Sequence, residues 1–392
     1  MGSGPRMIHQ RRLFEALNEA KGSVMKTILF LAVTTMTCGS LYGQKFVKSE
    51  KPVWDERLRH KEVDDFVFRN DNSVWVYSRI QNLDQVLDLG GRTSKPFSHW
   101  RGANSPCKEI PMHLRESRGG TLYFVGAESG VDQLTVATSE NFRRIAESRT
   151  MIFAGHDPQY SAEYTSLYGA RFAWRYGERI KGEPPSIGIA AIYNLDSGKI
   201  LSHGTFESSY ELLQAAVCKP DQIVIRRLSN DGSKDVIELF ELLPCQRQLE
   251  SCKPFFQVFV EDSLGDGCVV ALPGRDLVAV SLGSEVGLLD TTTGKWLTKI
   301  QVPNVVWSNA RAQEICLFSP DGKWLAIATQ DRDILVFETQ GWSLAYRCTI
   351  DHEYAREFEQ PKMIRWSKDS TKLGMATELD YSPTVITWRL PR

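Results

Sequence analysis

The sequence lacks the short motifs that mark the common catalytic sites. It has no Gly-x-Ser-x-Gly elbow, no glycine-rich phosphate-binding loop and no His-Glu-x-x-His motif. Its seven histidines lie singly along the chain, and no two of them have the spacing of metal ligands. We therefore expect no catalytic residues, no bound metal and no cofactor.

An excess of charge of one sign is also lacking. The chain has 47 Lys and Arg residues against 48 Asp and Glu residues, a formal net charge of -1. Without a basic excess there is no electrostatic case for binding nucleic acid. The apolar run at residues 27–36 (TILFLAVTTM) is too short to cross a bilayer. The sequence thus predicts neither a nucleic-acid partner nor a membrane span.

The eight cysteines include no Cys-x-x-Cys pair, which disfavours a zinc site of that kind. Cys245 and Cys252 are close in sequence, and a hairpin would bring their side chains together as a disulfide. The alternative is that both are ordinary half-buried thiols. Four further cysteines lie within or beside apolar strands and are expected to be core residues: Cys218, Cys268, Cys316 and Cys348.

Residues 1–43 have the features of a leader. Met25 and Lys26 precede the apolar run, and the small residues Gly39 and Ser40 follow it, which is the pattern of a signal peptide. Residues 1–24 then form a long charged front, so we expect either translation from Met25 or an extended signal peptide. The alternative is an N-terminal helix that packs on the domain. The signal peptide predicts a secreted or periplasmic protein.

Cys38 offers a second way of localising the chain, because a cysteine at a cleavage site is lipidated in lipoproteins. The residues before it, Thr35, Met36 and Thr37, lack the small residue expected just ahead of a lipidated cysteine. Lipid anchoring therefore remains the alternative to free export. Residues 44–392 are expected to form a single domain.

A repeated pattern dominates the C-terminal part of the chain. Residues 318–329 (FSPDGKWLAIAT) and 366–377 (WSKDSTKLGMAT) share an aromatic residue, a polar tight turn and an apolar run, at an offset of 48 residues. An apolar run on each side of such a turn is typical of two adjacent antiparallel strands. A period of about 20 to 50 residues indicates a modular array.

The period extends back to the start of the domain. Positions that correspond to Leu325 and Leu373 recur at intervals of 48 to 54 residues and give seven units: Val74, Leu122, Ala173, Ile223, Leu277, Leu325 and Leu373. The third unit is placed more on spacing than on pattern, because residues 175–186 form a polar insertion with Pro184 and Pro185. Each unit has room for about four short strands.

These patterns predict an all-β fold, a seven-bladed β-propeller of four-stranded antiparallel blades. No apolar run after residue 45 keeps a helical period, which excludes a parallel βαβ repeat. A radial propeller closes such units without long free edges. The last unit stops after its third strand, so we expect the segment from Lys45 to Trp54 to complete the seventh blade and close the ring.

The residues resemble the WD-repeat β-propeller family, whose propellers are also called WD40-type or YVTN-like. In the sixth unit Phe337 and Glu338 stand where the family has Trp-Asp, and in the seventh Trp388 and Arg389 occupy that place. The family's Gly-His dipeptide occurs once, at Gly155. The resemblance covers roughly residues 60–392. It implies a protein-protein interaction platform rather than an enzyme.

Its composition predicts a contact surface in the long excursion of the third unit, residues 160–186. Tyrosine, tryptophan and arginine dominate binding hot spots, and long loops often carry function. The predicted binding residues are Tyr160, Tyr164, Tyr168, Arg171, Trp174, Arg175, Tyr176 and Arg179.

Three classes of function remain open at this stage. The first is a monomeric, non-catalytic platform for an unidentified protein partner. The second is a propeller enzyme, a hydrolase or a quinone- or metal-dependent catalyst with a site in the channel. The third is a structural component of the cell envelope.

Overall fold

The computed structural model describes residues 45–50, the strand segments between 65 and 208 given below and, with short gaps, residues 212–303, 315–350 and 361–391. The regular structure in these residues is β-strand throughout, with no helix among them. The predicted all-β class is confirmed. The predicted leader, residues 1–43, lies outside the described residues.

The described strands are numbered along the chain. The first fourteen are β1 (Lys45–Lys48), β2 (Asp65–Asn70), β3 (Ser73–Ser78), β4 (Leu83–Asp88), β5 (Lys95–Pro96), β6 (Pro111–Glu116), β7 (Leu122–Glu128), β8 (Val131–Ala137), β9 (Phe142–Ser148), β10 (Tyr160–Ser166), β11 (Ser186–Asn194), β12 (Lys199–Ser208), β13 (Leu212–Lys219) and β14 (Gln222–Leu228). The others are β15 (Asp235–Glu241), β16 (Leu243–Pro244), β17 (Pro254–Val260), β18 (Val269–Ala271), β19 (Leu277–Leu282), β20 (Glu285–Asp290), β21 (Lys295–Gln301), β22 (Cys316–Phe318), β23 (Trp324–Ala328), β24 (Ile334–Glu338), β25 (Leu344–Thr349), β26 (Met363–Trp366), β27 (Lys372–Leu379) and β28 (Ser382–Arg389).

These strands form small antiparallel sheets, which we number in chain order. Sheet 1 contains β2 to β5, and sheet 2 contains β6 to β9. Sheet 3 has the order β10-β11-β12-β16, and sheet 4 has the order β13-β14-β15-β17. Sheet 5 contains β18 to β21, sheet 6 contains β22 to β25 with β1 added next to β25, and sheet 7 contains β26 to β28.

Six of the seven repeat positions predicted from the sequence fall in the second strand of a sheet. They are Val74 in β3, Leu122 in β7, Ile223 in β14, Leu277 in β19, Leu325 in β23 and Leu373 in β27. The spacing of apolar runs and turns was sufficient here because each hairpin is local in sequence.

The third unit differs from the prediction. Its second strand is β11, Ser186–Asn194, and not the segment around Ala173, which lies outside the described residues. The excursion also begins later than expected, because Tyr160 to Ser166 form β10 and pair with β11. The insertion thus separates the first and second strands of sheet 3, and a constant spacing could not place it.

The turns that carry the repeat have the same hydrogen bonds in both copies. The Ser319 hydroxyl donates to the Asp321 carboxylate at 2.6 Å, and the Trp324 amide donates to the Ser319 hydroxyl at 3.0 Å. In the next copy the Ser367 hydroxyl donates to Asp369 at 2.7 Å, and the Lys372 amide donates to Ser367 at 2.8 Å. The sequence echo at 48 residues is therefore one turn built twice.

The central strands are buried on both faces, whereas the outer strands alternate. In β19 and β23 consecutive residues are buried, and in β17 and β21 inward and exposed side chains alternate along most of the strand. Strands covered on both faces have continuous apolar runs instead of alternating patterns. The core consequently lies between neighbouring sheets: one cluster joins sheets 3 and 4, another joins sheets 4 and 5, and the largest joins sheets 5, 6 and 7.

Contacts between strands link each sheet to the next, mostly through their first strands. β2 contacts β6, β10 contacts both β9 and β13, β13 contacts β18, β18 contacts β22, and β22 contacts β26. β26 in turn contacts β2, and Phe66 and Phe68 of sheet 1 pack with Met363 of sheet 7. The described part of the chain thus has no sheet that stands alone.

Two tryptophans join sheet 7 to sheet 6. The indole N–H of Trp366, in the first strand of sheet 7, donates to the Leu317 carbonyl at 3.2 Å. The indole N–H of Trp388, in the third strand, donates to the Thr349 carbonyl at 2.9 Å. Trp388 is fully buried. At both the first and the last strand of sheet 7, a tryptophan ring thus packs in the core and its N–H group donates one directional hydrogen bond to sheet 6.

The N-terminal strand pairs with a different sheet from the one predicted. β1 lies next to β25 and extends sheet 6 to five strands, whereas sheet 7 has three strands among the described residues. Glu50 reaches sheet 7, where its amide donates to the Thr387 carbonyl at 2.7 Å and its carboxylate accepts from the Thr387 hydroxyl at 2.9 Å. The segment therefore bridges both sheets. Its predicted continuation to Trp54 lies outside the described residues.

Removal of this bridge should weaken the domain. A chain of residues 51–392 should unfold roughly 5 °C lower than a chain of residues 45–392, because it loses the β1 pairing and the Glu50 hydrogen bonds. Circular dichroism during heating measures both midpoints. Equal midpoints would show that the bridge contributes nothing.

Turn geometry gives a second prediction. Gly274 and Gly322 have φ of 70° and 71°, and Ser370, one repeat further on, has φ of 59°. A Cβ at Gly274 would meet no atom within 4 Å, so Gly274→Ala introduces only the backbone cost of the left-handed region. We expect a loss of about 1 kcal/mol in the free energy of unfolding.

The control is Gly341→Ala, where the space is equally open and no positive φ occurs. This change should be neutral or stabilise by up to about 0.5 kcal/mol. Urea unfolding of the two variants and the parent measures the difference. A Gly274→Ala protein as stable as the Gly341→Ala protein would contradict the assignment of the turn.

Candidate binding surface on the third and fourth sheets

Sheets 3 and 4 share a strand exchange that the sequence did not reveal. After β15 the chain leaves sheet 4, adds the short strand β16 to the edge of β12 and then returns to sheet 4 as β17. Leu243 and Pro244 pair with His203 and Ser202, and Ser251 forms a parallel bridge to Thr205. We call this segment, residues 242–253, the clasp. It fixes the outer part of the two sheets to each other.

Hydrogen bonds hold the clasp along β12. The Cys245 amide donates to the Leu201 carbonyl at 3.1 Å, and the Thr205 amide donates to the Glu250 carbonyl at 2.9 Å. The His203 Nε2 lies 3.0 Å from the Arg247 carbonyl oxygen. Because these bonds involve the backbone at both ends of the clasp, β17 begins from a defined position.

β17 presents two aromatic side chains to solvent. Phe255 and Phe259 are each 58% exposed, and they are among the most exposed large apolar residues of the described chain. Between them, Phe256 and Val258 point inward and pack against the core shared by sheets 4 and 5. Two exposed phenylalanines on one outer strand are unusual. Exposed apolar side chains and the unpaired backbone of an edge strand both favour association with another chain.

A largely buried ion pair on the neighbouring strands is hydrogen-bonded to β17. Arg227 donates through Nε to Glu238 at 2.6 Å and through a second nitrogen at 2.8 Å, a bidentate pair. Gln257, which lies between the two exposed phenylalanines, also donates to Glu238. The side chains of Arg227 and Glu238 are only 12% and 4% exposed. The exposed face of β17 is therefore hydrogen-bonded through Gln257 to a largely buried ion pair on β14 and β15.

The other face of sheet 4 holds a second buried network, toward sheet 5. Arg226 donates through Nε to Asp235 at 2.9 Å, and both side chains are fully buried. The same guanidinium donates to the Ser281 hydroxyl of sheet 5 at 2.7 Å, and that hydroxyl accepts from the Cys268 amide at 2.8 Å. Gln214 adds a bond from the Val269 amide at 2.9 Å. Since Arg226 and Arg227 are adjacent in β14, strand alternation sends them to opposite faces.

Two of the eight contact residues predicted from the sequence lie within the described residues. Tyr160 and Tyr164 lie in β10 and pair with Asn194 and Ala190 of β11. The other six lie outside the described residues: Tyr168, Arg171, Trp174, Arg175, Tyr176 and Arg179. Ser166, Ser186 and Ser208 mark the same end of sheet 3 in the strand register. The binding role of the eight predicted contact residues stays a prediction.

The predicted pairing of Cys245 with Cys252 is not formed. Both are free, half-buried thiols in the structure. Cys245 bonds to Leu201 and Cys252 bonds to Thr205, which are four residues apart on β12. At about 3.3 Å per residue the two anchor points are roughly 13 Å apart, whereas a disulfide needs Cα atoms within about 7 Å. The backbone anchors of the two cysteines on β12 are thus too far apart for the predicted disulfide.

The described residues contain no group of three or more His, Cys, Asp and Glu side chains that could hold a metal ion. Within the same residues no helix is long and apolar enough to cross a membrane. A scan against protein-family models finds no match, and a search of curated proteins finds none either.

The buried Arg226–Asp235 pair gives a stability prediction. Asp235→Asn leaves the guanidinium buried without its counter-charge, so the free energy of unfolding should fall by about 3 kcal/mol. The matched control is Lys323→Gln, which breaks a pair at 3.5 Å whose lysine is 73% exposed and should cost less than about 0.5 kcal/mol. Chemical denaturation measures both values. Equal losses would contradict a structural role for the buried pair.

Proposed function

We propose that this chain is an exported, WD-repeat-like β-propeller that acts as a non-catalytic platform for binding another protein. The observation that carries the proposal is the pair of exposed phenylalanines on β17, Phe255 and Phe259. Gln257 lies between them and is hydrogen-bonded to Glu238. Exposed apolar patches rimmed by polar groups mark interaction sites.

The order of contacts between sheets supports the propeller. Each first strand contacts the first strand of a neighbouring sheet, and β10 also contacts β9, the last strand of the preceding sheet. The series closes because β26 contacts β2. Central strands buried on both faces fit blades that stack around an axis, because each blade then covers the next. The recurrent turn at 48 residues supports a repeat of equal units.

The sequence of residues 25–40 supports export. A lysine after Met25, a short apolar run and a small-residue segment precede the first strand of the fold. The partner is then a protein met outside the cytoplasm. Binding a protein also fits the near-neutral net charge of the chain, which gives no long-range attraction for nucleic acid.

The character of the surface favours a specific protein partner. Aromatic side chains give a large contact area with few rotatable bonds, which keeps the entropy cost of binding low. Gln257, which lies between the two phenylalanines, donates a hydrogen bond to Glu238. The Glu238 carboxylate is therefore not left unpaired when a partner covers the patch. Because the clasp and the ion pair fix β17, the patch is ordered before it binds.

The test compares partner capture by three proteins. Immobilised parent, the double variant Phe255→Ser with Phe259→Ser, and the control Leu297→Ser are incubated with the exported fraction of the source cells. Leu297 is also 58% exposed, on the outer strand β21 of the next sheet. We expect one partner set to bind the parent and the control, and at least a tenfold loss with the double variant, about the effect of 1.4 kcal/mol.

Mass spectrometry of the eluted proteins measures the loss. Identical partner sets for the parent and the double variant would exclude the β17 patch as the contact. Specific capture that is lost only in the Leu297→Ser protein would move the contact to sheet 5.

A further inference from the structure

Two fully buried cysteines meet between sheets 5 and 6. Cys268 immediately precedes β18, and Cys316 is the first residue of β22, so both stand at the start of the first strand of their sheets. β18 and β22 contact each other, and both cysteines are 0% exposed within one apolar cluster. The Cys268 thiol also raises the pKa of the Cys316 thiol, after the larger effect of burial. The two cysteines are therefore neighbours in this cluster, and both are free thiols in the structure.

The repeat explains why they meet. Cys268 and Cys316 are 48 residues apart, the same offset that relates the turns at Ser319 and Ser367. They occupy the same position in consecutive units, and consecutive first strands lie side by side. A cysteine placed at this position in two neighbouring units thus faces its counterpart.

The backbone holds both residues firmly. The Cys268 carbonyl accepts from the Ser281 amide at 3.0 Å, and its amide donates to the Ser281 hydroxyl at 2.8 Å. Cys316 pairs with Ile327 of β23. Both cysteines are thus fixed at the starts of first strands that contact each other.

The other core cysteines have different neighbours. Burial raises the pKa of the Cys218 thiol to about 12, with Asp276 as the next largest cause. Burial also raises the pKa of the Cys348 thiol, and the charged group that acts on it is Asp333. Cys316 is instead influenced by another thiol, which singles out the pair with Cys268.

We propose that Cys268 and Cys316 form a disulfide when the chain folds in an oxidising medium, which joins the first strands of sheets 5 and 6. Two S–H bonds break and one S–S bond forms. Two protons leave, and two electrons pass to a disulfide oxidant of the glutathione class, which is reduced to two thiols. The product is a covalent link in the centre of the largest core cluster.

The link has to form before the two sheets finish packing. Burial, and after it the neighbouring Cys268 thiol, raises the pKa of the Cys316 thiol well above its usual value, and a thiolate is the species that attacks a disulfide. The folded core therefore gives neither a reactive thiolate nor access for an oxidant. For the same reason, the finished disulfide is shielded from reductants.

In the cell this inference rests on the proposed export, because disulfides persist in oxidising compartments. The test in solution does not. The reduced, unfolded chain of residues 45–392 is refolded with a mixture of reduced and oxidised glutathione or with dithiothreitol. Free thiols are then alkylated, and the protein is digested and mapped without reduction.

We expect a peptide that links Cys268 to Cys316 in the glutathione sample and its absence in the dithiothreitol sample. Alkylated Cys268 and Cys316 in soluble, folded glutathione samples would overturn the proposal, as would a dominant link to any other cysteine. A linked peptide in solution combined with free thiols in protein taken from cells would leave the pairing intact and count against export.

Thermal unfolding gives a second measure. The oxidised parent should unfold about 5 °C above the reduced parent, because the link restricts the unfolded chain. Cys316→Ala should abolish this difference, while Cys348→Ala, a change at another buried cysteine of sheet 6, should keep it. A difference that persists in Cys316→Ala would overturn the assignment. Should either variant fail to fold, the peptide map of the parent still decides.

Discussion

The burial of both faces of the central strands in sheets 4 to 7 is the constraint on which the structure depends. A sheet of three to five short strands has two apolar faces, and neither can face water without loss of its hydrophobic stabilisation. Each sheet from 3 to 7 consequently shares a core cluster with a neighbour, and sheets 7 and 1 meet through Phe66 and Met363. The turns and strand pairings are local, but no unit is complete alone.

Polar groups occur in this core where they join one sheet to the next. Arg226 and Ser281 connect sheets 4 and 5, and the indole groups of Trp366 and Trp388 connect sheets 6 and 7. Each is directional, so it favours one angle between its two sheets, which apolar contact alone does not. The adjacent Arg227–Glu238 pair faces the other way and supports the exposed strand β17. One strand, β14, thus serves both the core and the candidate binding surface.

Much of the fold could be predicted from the sequence, because its hairpins are local. The turns at Asp321 and Asp369, and six of the seven second strands, follow from patterns a dozen residues long. The third unit could not be placed, since the insertion before Ser186 breaks the spacing. The candidate surface was missed for a related reason. Phe255 and Phe259 lie in an ordinary apolar stretch, and only their place on an outer strand exposes them.

By itself the sequence determined the strand class, the period and the turn chemistry, because these depend on residues close together in the chain. Only the tertiary structure decided which distant segments pair. It placed β1 on sheet 6, gave β16 to sheet 3 and set Cys268 beside Cys316 rather than Cys245 beside Cys252. Sheet edges accept any extended segment through the same backbone hydrogen bonds, so the choice among segments depends on packing between sheets. That packing has no signature in a short stretch of sequence.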